Sequence, residues 1–211
     1  MTTTLGLSHI CFKTIINSVK VVMFGLGLLA TITAVYGITN TKLKNLKIEE
    51  SAQIERIHHA MLAENVRQAE AIKAQQIHME RLKQLECLAT NVYWEAASEP
   101  FEGKVAVAQV TMNRLESGRY GTSICQVVFQ RTKVYETVIC QFSWTCTGKS
   151  RIPPRNQRLF KESEDVARKV YFEHYRIPQL TKAMYFHNTT VRPGWNKVKI
   201  TQIGQHVFYR D

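Results

Sequence analysis

Tyr93-Trp94-Glu95-Ala96-Ala97-Ser98-Glu99-Pro100-Phe101-Glu102-Gly103 places three carboxylates within eight residues, with aromatic rings before the first. The local pattern predicts a helix from Cys87 to about Ala97, a break at Ser98-Glu99-Pro100, and a second helix from Glu102 to about Ser117. Ser98 or Glu99 is expected to cap the second helix, and Pro100 suits its first turn. Val105, Val107, Ala108, Val110, Met112 and Leu115 supply that helix with buried positions. Glu95 lies between Tyr93-Trp94 and two alanines, an apolar setting for a charged group. Burial there raises a carboxyl pKa, as a general acid working near neutral pH requires. The plain alternative is a surface glutamate at a helix end.

Outward toward the C-terminus, Gly118 to Gly121 reads as a turn and Lys149 to Asn156 as a basic, proline-bearing loop. A third helix is expected over roughly Glu162 to Tyr175. Met184-Tyr185-Phe186, a Pro193-Gly194 turn and His206-Val207-Phe208-Tyr209 then read as short strands. Helices first and a small antiparallel sheet last define an α+β domain over 87–211.

Outward toward the N-terminus the chain changes character. Residues 48–86 hold no Gly or Pro, and Ile54, Ile57, Met61, Val66, Ala69, Ile72, Met79 and Leu82 recur at three-to-seven-residue intervals. One long helix follows, a stalk over 39–86 able to self-associate weakly as an imperfect coiled coil. His58 and His59 face different sides of such a helix and His78 is remote, so a solvated surface is expected there. Val21 to Ile38 is eighteen residues without a charge, and as a helix covers about 27 Å, close to a bilayer's hydrocarbon core. It is longer than a signal-peptide apolar region and is followed by no A-x-A site, so an uncleaved anchor behind a short segment 1–20 is expected.

Net charge is +11, and residues 87–211 carry eighteen Lys/Arg against ten Asp/Glu. Nucleic acid, a membrane surface or an anionic wall polymer would each suit that excess. The membrane segment argues against nucleic acid, because a tethered domain outside the cytoplasm meets none. Cys87, Cys125, Cys140 and Cys146 all follow that segment, with only Cys11 before it. This split suits disulfides in an oxidising compartment, with the pairing open, and no C-x-x-C pair suggests zinc. The expected location is single-pass in the inner membrane, with the C-terminal domain in the periplasm or otherwise outside the membrane.

Leu88 to Gln130 resembles the SleB-type cell wall hydrolases, which include spore cortex-lytic enzymes. The matching pieces are Tyr93-x-Glu95-Ala96-x-x-Glu99-Pro100-x-Glu102-Gly103-x-Val105-Ala106-Val107-Ala108, then Asn113-Arg114 and Ile124-Cys125-x-Val127. Gln141-Phe142-Ser143-Trp144-Thr145-Cys146 and Ile203-Gly204-x-His206-x-Phe208-Tyr209 complete the pattern in order. The resemblance implies a lysozyme-like arrangement, peptidoglycan glycan strands as substrate, and Glu95 as catalytic acid/base of a lytic transglycosylase. Glu95 would protonate the oxygen between MurNAc and GlcNAc, then help the MurNAc 6-hydroxyl close a 1,6-anhydro ring. Hydrolysis would instead need a second carboxylate about 5–9 Å away. Glu99 and Glu102 are nearest in sequence, and Glu99 suits a helix N-terminus better.

Tyr93, Gln141, Phe142, Ser143 and Trp144 are expected to hold sugar, with His187, Asn188 and Trp195 near the cleft. Thr147 stands where many relatives carry an acid. No cofactor or metal is expected. An N-acetylmuramoyl amidase using His187 and His206 around zinc is one alternative. A non-catalytic wall-binding module, gripping anionic polymer with Lys149 to Lys161, is the other.

Overall fold

The structure, a computed structural model, describes residues 6–148 and 155–211, with side chains from residue 17 onward. Most of the expected basic loop, residues 149–154, therefore lies outside the described residues. The chain divides into two compact units, Met1–Ala71 and Ile72–Asp211.

The first unit consists of α1, Gly6–Ala96, up to Ala71. It contains a stretch long and apolar enough to cross a membrane by length and composition. Val21, Phe24, Leu29, Ile32, Tyr36 and Ile38 are all exposed. The Thr31 and Thr33 hydroxyls turn back onto the carbonyls of Leu28 (2.8 Å) and Ala30 (2.9 Å), so neither threonine leaves an unbonded donor in the apolar stretch.

The second unit begins within the same helix. No break separates the expected stalk from the expected domain helix at Cys87, since no Gly or Pro interrupts α1 there. Leu85, Leu88, Ala89 and Val92 bury one α1 face against α2 (Phe101–Glu116), α3 (Ile124–Val128) and α4 (Gln157–Phe172). α2 is the central helix, buried from Gly103 to Arg114. Its Ala106 and Val110 pack with Leu180, Ala183 and Phe208 in a second cluster.

Polar side chains of α2 fix the segment leading into the sheet. Gln109 accepts from Ile177 N (2.7 Å) and donates to its carbonyl (3.1 Å). Asn113 Nδ2 donates to Leu180 O and Ala183 O, both at 2.8 Å, and Arg114 Nε to Met184 O at 2.9 Å. Buried backbone without a ladder partner is thereby satisfied. Strand β3, Tyr185–Asn188, starts where those bonds end. It pairs antiparallel with β5 (His206–Arg210), which pairs with β4 (Val198–Ile203). Phe186 and Phe208 face the core, and Tyr185, His187 and Tyr209 point the other way.

Three expectations of local structure change. Neither Ser98 nor Glu99 caps α2: Pro100 occupies the N-cap position without a side-chain bond, and the Glu99 carboxylate is used elsewhere. α4 starts at Gln157, five residues ahead of the expected Glu162, because Asn156 Oδ1 accepts from Leu159 N at 3.1 Å. An unforeseen hairpin joins β1 (Arg131–Val134) to β2 (Thr137–Cys140). Both of its faces are exposed, so it lacks the alternating pattern that marks a half-buried strand. Two disulfides close the cysteine set: Cys87–Cys125 ties α1 to α3, and Cys140–Cys146 brackets the Gln141–Thr145 segment.

Candidate active site

Glu95 lies half-buried in the last turn of α1. Its electrostatic neighbour is Arg114, a guanidinium only 4% exposed. Burial pushes the Arg114 pKa down to about 10, and the fields of Tyr120, Glu95 and Tyr185 oppose that shift, so the group stays charged at neutral pH. Nη1 and Nη2 donate to the Gln141 side-chain oxygen at 3.0 and 3.1 Å, with the amide oriented so that its nitrogen donates to Gln130 Oε1 at 3.2 Å. The guanidinium carbon also lies 5.0 Å from the Phe142 ring centroid and 5.5 Å from that of Tyr120. Sequence reading caught Arg114 only within a motif. The missed signal is its spacing, which sets a charge on the α2 stripe of Val107 and Val110.

From Tyr120 the site continues onto the outer face of the sheet. Tyr120 and Tyr185 share a hydroxyl contact at 3.3 Å, and Tyr185 Oη donates to Asp211 Oδ1 at 2.9 Å. Asp211 also receives Lys197 (2.6 Å) and Arg119 (2.9 Å), which hold its carboxyl well below the usual carboxylate range. Trp195, 40% exposed, stands about 6 Å from the rings of Tyr185, His187 and Tyr209. His187 Nε2 bonds Tyr209 Oη at 2.8 Å and Nδ1 the Asn188 carbonyl at 2.8 Å. Tyr185 and Tyr209 join this face through strand pairing, with Lys197 and Asp211 just beyond the strand ends, which spacing alone does not reveal.

The expected sugar-holding residues separate into two groups. Gln141 is half-buried against Arg114, Ser143 is exposed at the start of a short 3-10 turn, and His187 and Trp195 share the aromatic face. Asn188 is half-buried, and its Oδ1 shapes the following turn by accepting from Thr190 N at 3.0 Å and Thr190 Oγ1 at 2.9 Å. Tyr93, Phe142 and Trp144 correct the expectation. Phe142 and Trp144 are each 3% exposed and Tyr93 9%, so none offers a ring face to a sugar. Trp144 stacks on Trp94 at 6.3 Å, and its Nε1 donates to Asn91 Oδ1 at 2.9 Å. Tyr93 packs edge-on against Phe160, and its hydroxyl accepts from Asn156 N at 3.3 Å.

Glu99 is sealed in. It is 8% exposed, and Oε2 accepts from Gln205 N at 2.9 Å, tying the β4–β5 turn to the start of α2. A Cβ on Gly103 would come within 2.9 Å of Glu99 Cβ, and one on Gly204 (φ +56) within 1.9 Å of Oε2. His206 faces Glu99 at 3.8 Å from the core side of the sheet, opposite His187. The two histidines thus cannot converge on one ion. Among the described residues no group of three His, Cys, Asp or Glu side chains is placed to hold a metal.

The family model described as Cell Wall Hydrolase matches residues 98–209, and the chain belongs to that family. Its relatives include the spore cortex-lytic enzymes of Oceanobacillus iheyensis, 30% identical over 128 residues, and Bacillus subtilis, 29% identical over 125. These alignments cover 59% and 57% of this chain but only 40% and 35% of the relatives. Among solved structures, the catalytic domain of the Bacillus cereus SleB protein aligns over 60% of this chain and 89% of its own, at 25% identity and a TM-score of 0.44. The family match begins three residues after Glu95, so it takes in Glu99, Arg114 and Gln141 but not Glu95 itself.

Proposed function

We propose that this chain degrades peptidoglycan by cutting the glycan strand between MurNAc and GlcNAc, as a lytic transglycosylase with Glu95 as its one acid/base. One observation carries the reading. Of the three clustered carboxylates, Glu95 alone is half-buried within the field of the buried Arg114, whereas Glu99 is sealed under the β4–β5 turn and Glu102 is exposed. With Glu99 committed to Gln205 N, the tract offers no second carboxylate for a two-acid hydrolysis. On this reading a single group acts twice.

As an acid, Glu95 gives its proton to the glycosidic oxygen as the C1–O bond breaks. The resulting carboxylate takes the proton of the MurNAc 6-hydroxyl as that oxygen bonds to C1, which restores the acid and leaves a 1,6-anhydro end. The last turn of a helix favours a neutral carboxyl over an ionised one, and the nearby guanidinium favours the ionised form, so both halves of the cycle find support. Trp195 and Tyr209 supply ring faces to the sugar, with His187, Gln141 and Ser143 as polar contacts. Val21–Ile38 anchors the chain in the inner membrane, and the helix beyond it carries the domain, in a lysozyme-like arrangement, toward the wall. Glu95→Gln keeps the shape but has no proton to give, so glycan cleavage by the purified full chain should fall at least about 100-fold while sacculus binding persists. Near-normal cleavage by that variant removes Glu95 from the mechanism.

A further inference from the structure

Around Trp195 the polar groups of the outer sheet face are committed to one another. Tyr185 Oη gives its proton to Asp211 Oδ1 at 2.9 Å and meets the Tyr120 hydroxyl at 3.3 Å. Lys197 Nζ also turns to Asp211 Oδ1, at 2.6 Å. His187 is used at both nitrogens: Nδ1 lies 2.8 Å from the Asn188 carbonyl oxygen and Nε2 2.8 Å from Tyr209 Oη. A carbonyl oxygen can only accept, so in the neutral ring the proton sits on Nδ1 and Nε2 is a bare lone pair. Tyr209 then donates to Nε2, and its oxygen keeps only lone pairs to offer. The two rings stack, 27° from parallel with centroids 5.3 Å apart, which holds them in this arrangement.

The open acceptor has an apolar neighbour. Trp195 is exposed, and its ring centroid lies 6.0 Å from that of Tyr209, turned 67° to it. We infer that Tyr209 Oη, held as an acceptor by His187, reads the N–H of a sugar's acetamido group, with the acetamido methyl against Trp195. A sugar hydroxyl can turn to give or to take a proton, so it suits a donor or an acceptor equally. An amide N–H can only give, and a tyrosine proton aimed at it would repel it. Fixing the Tyr209 proton on His187 therefore favours acetamido sugars over their 2-hydroxyl counterparts. His187 acts through Tyr209 as a positioning residue and not as a sugar contact, which revises its role above. The inference rests on the reading of this chain as a glycan-cleaving enzyme and names how its site selects sugar.

The test uses the purified full chain in detergent with Glu95→Gln in place, so that ligand is bound and not cut. Nitrogen NMR of the ligand-free protein, at a pH where the ring is neutral, should show His187 with Nδ1 protonated and Nε2 bare. Its signal is identified by its absence from His187→Leu. Affinities are then compared for an oligomer of N-acetylglucosamine and the glucose oligomer of the same linkage, which has a hydroxyl for each acetamido group. The first should bind more tightly. Tyr209→Phe removes the acceptor and leaves the ring, so it should cut that preference about fivefold, the worth of one hydrogen bond. His187→Leu leaves the acceptor but frees the hydroxyl to turn, and should cut it about twofold. A protonated Nε2 with a bare Nδ1, no preference before Tyr209 is changed, or a preference intact in Tyr209→Phe or in His187→Leu overturns the inference. Digestion of sacculi separates the two levels: cleavage by Glu95→Gln defeats the proposed function itself. A wrong tautomer or a missing preference beside an inactive Glu95→Gln defeats only this role of Tyr209 and His187.

Discussion

Gly204 allows a direct check on the residues behind the site. Its φ of +56 already disfavours a side chain, and an added Cβ would meet Glu99 Oε2 at 1.9 Å. Gly204→Ala should therefore destabilise the fold by about 2–4 kcal/mol in denaturant melts, because it strains the turn and uncouples Gln205 N from Glu99. His206 predicts a pH dependence. Burial lowers its pKa, opposed by Glu99 and reinforced by His187. A histidine lowered by folding contributes stability that is complete above its unfolded pKa of about 6.5 and is lost as pH falls through the folded value. The thermal midpoint should drop between pH 7 and 5, and His206→Gln should flatten that drop. The half-buried setting of Glu95 was legible because a carboxylate beside aromatic rings at a helix end is a local pattern. The burial of Arg114 was not, because its partners Gln141 and Met184 are brought by the fold from about thirty and seventy residues away. Trp144 misled for a related reason: an aromatic ring suits a sugar or a core equally, and Asn91 decides between them.

Among elements, the two disulfides should contribute unequally. Cys87–Cys125 closes a separation of 38 residues and Cys140–Cys146 one of 6. Chain entropy assigns about 4 kcal/mol to the first and about 2 to the second. Cys87→Ser with Cys125→Ser should lower the unfolding midpoint more than Cys140→Ser with Cys146→Ser. Equal losses would point to native-state strain instead. α1, α2 and the β3 and β5 strands were legible from apolar spacing, α4 was placed late because Asn156 was not recognised as a cap, and the short α3 was not read. β4 and the β1–β2 hairpin escaped. Val134, Val138 and Ile139 are exposed, so hydrophobic periodicity had nothing buried to report.

At the scale of the whole molecule, the account joins an apolar helix to a cell wall hydrolase domain. If Val21–Ile38 is the proposed anchor, Gly25, Gly27, Gly37, Thr31 and Thr33 make it a marginal one, because each stands where a Leu or Ile would bind lipid better. A permanent anchor predicts that full-length protein stays in the membrane pellet while wall degradation proceeds. Its appearance in the soluble periplasm after collapse of the proton-motive force would show release instead. The central claim concerns the bond that is cut, and mass spectrometry of sacculi digested by the full chain tests it most directly. Cleavage by one carboxylate predicts muropeptides ending in 1,6-anhydro-MurNAc, absent when Glu95→Gln replaces the native enzyme. Muropeptides with reducing ends, or stem peptides freed from intact glycan, would contradict it.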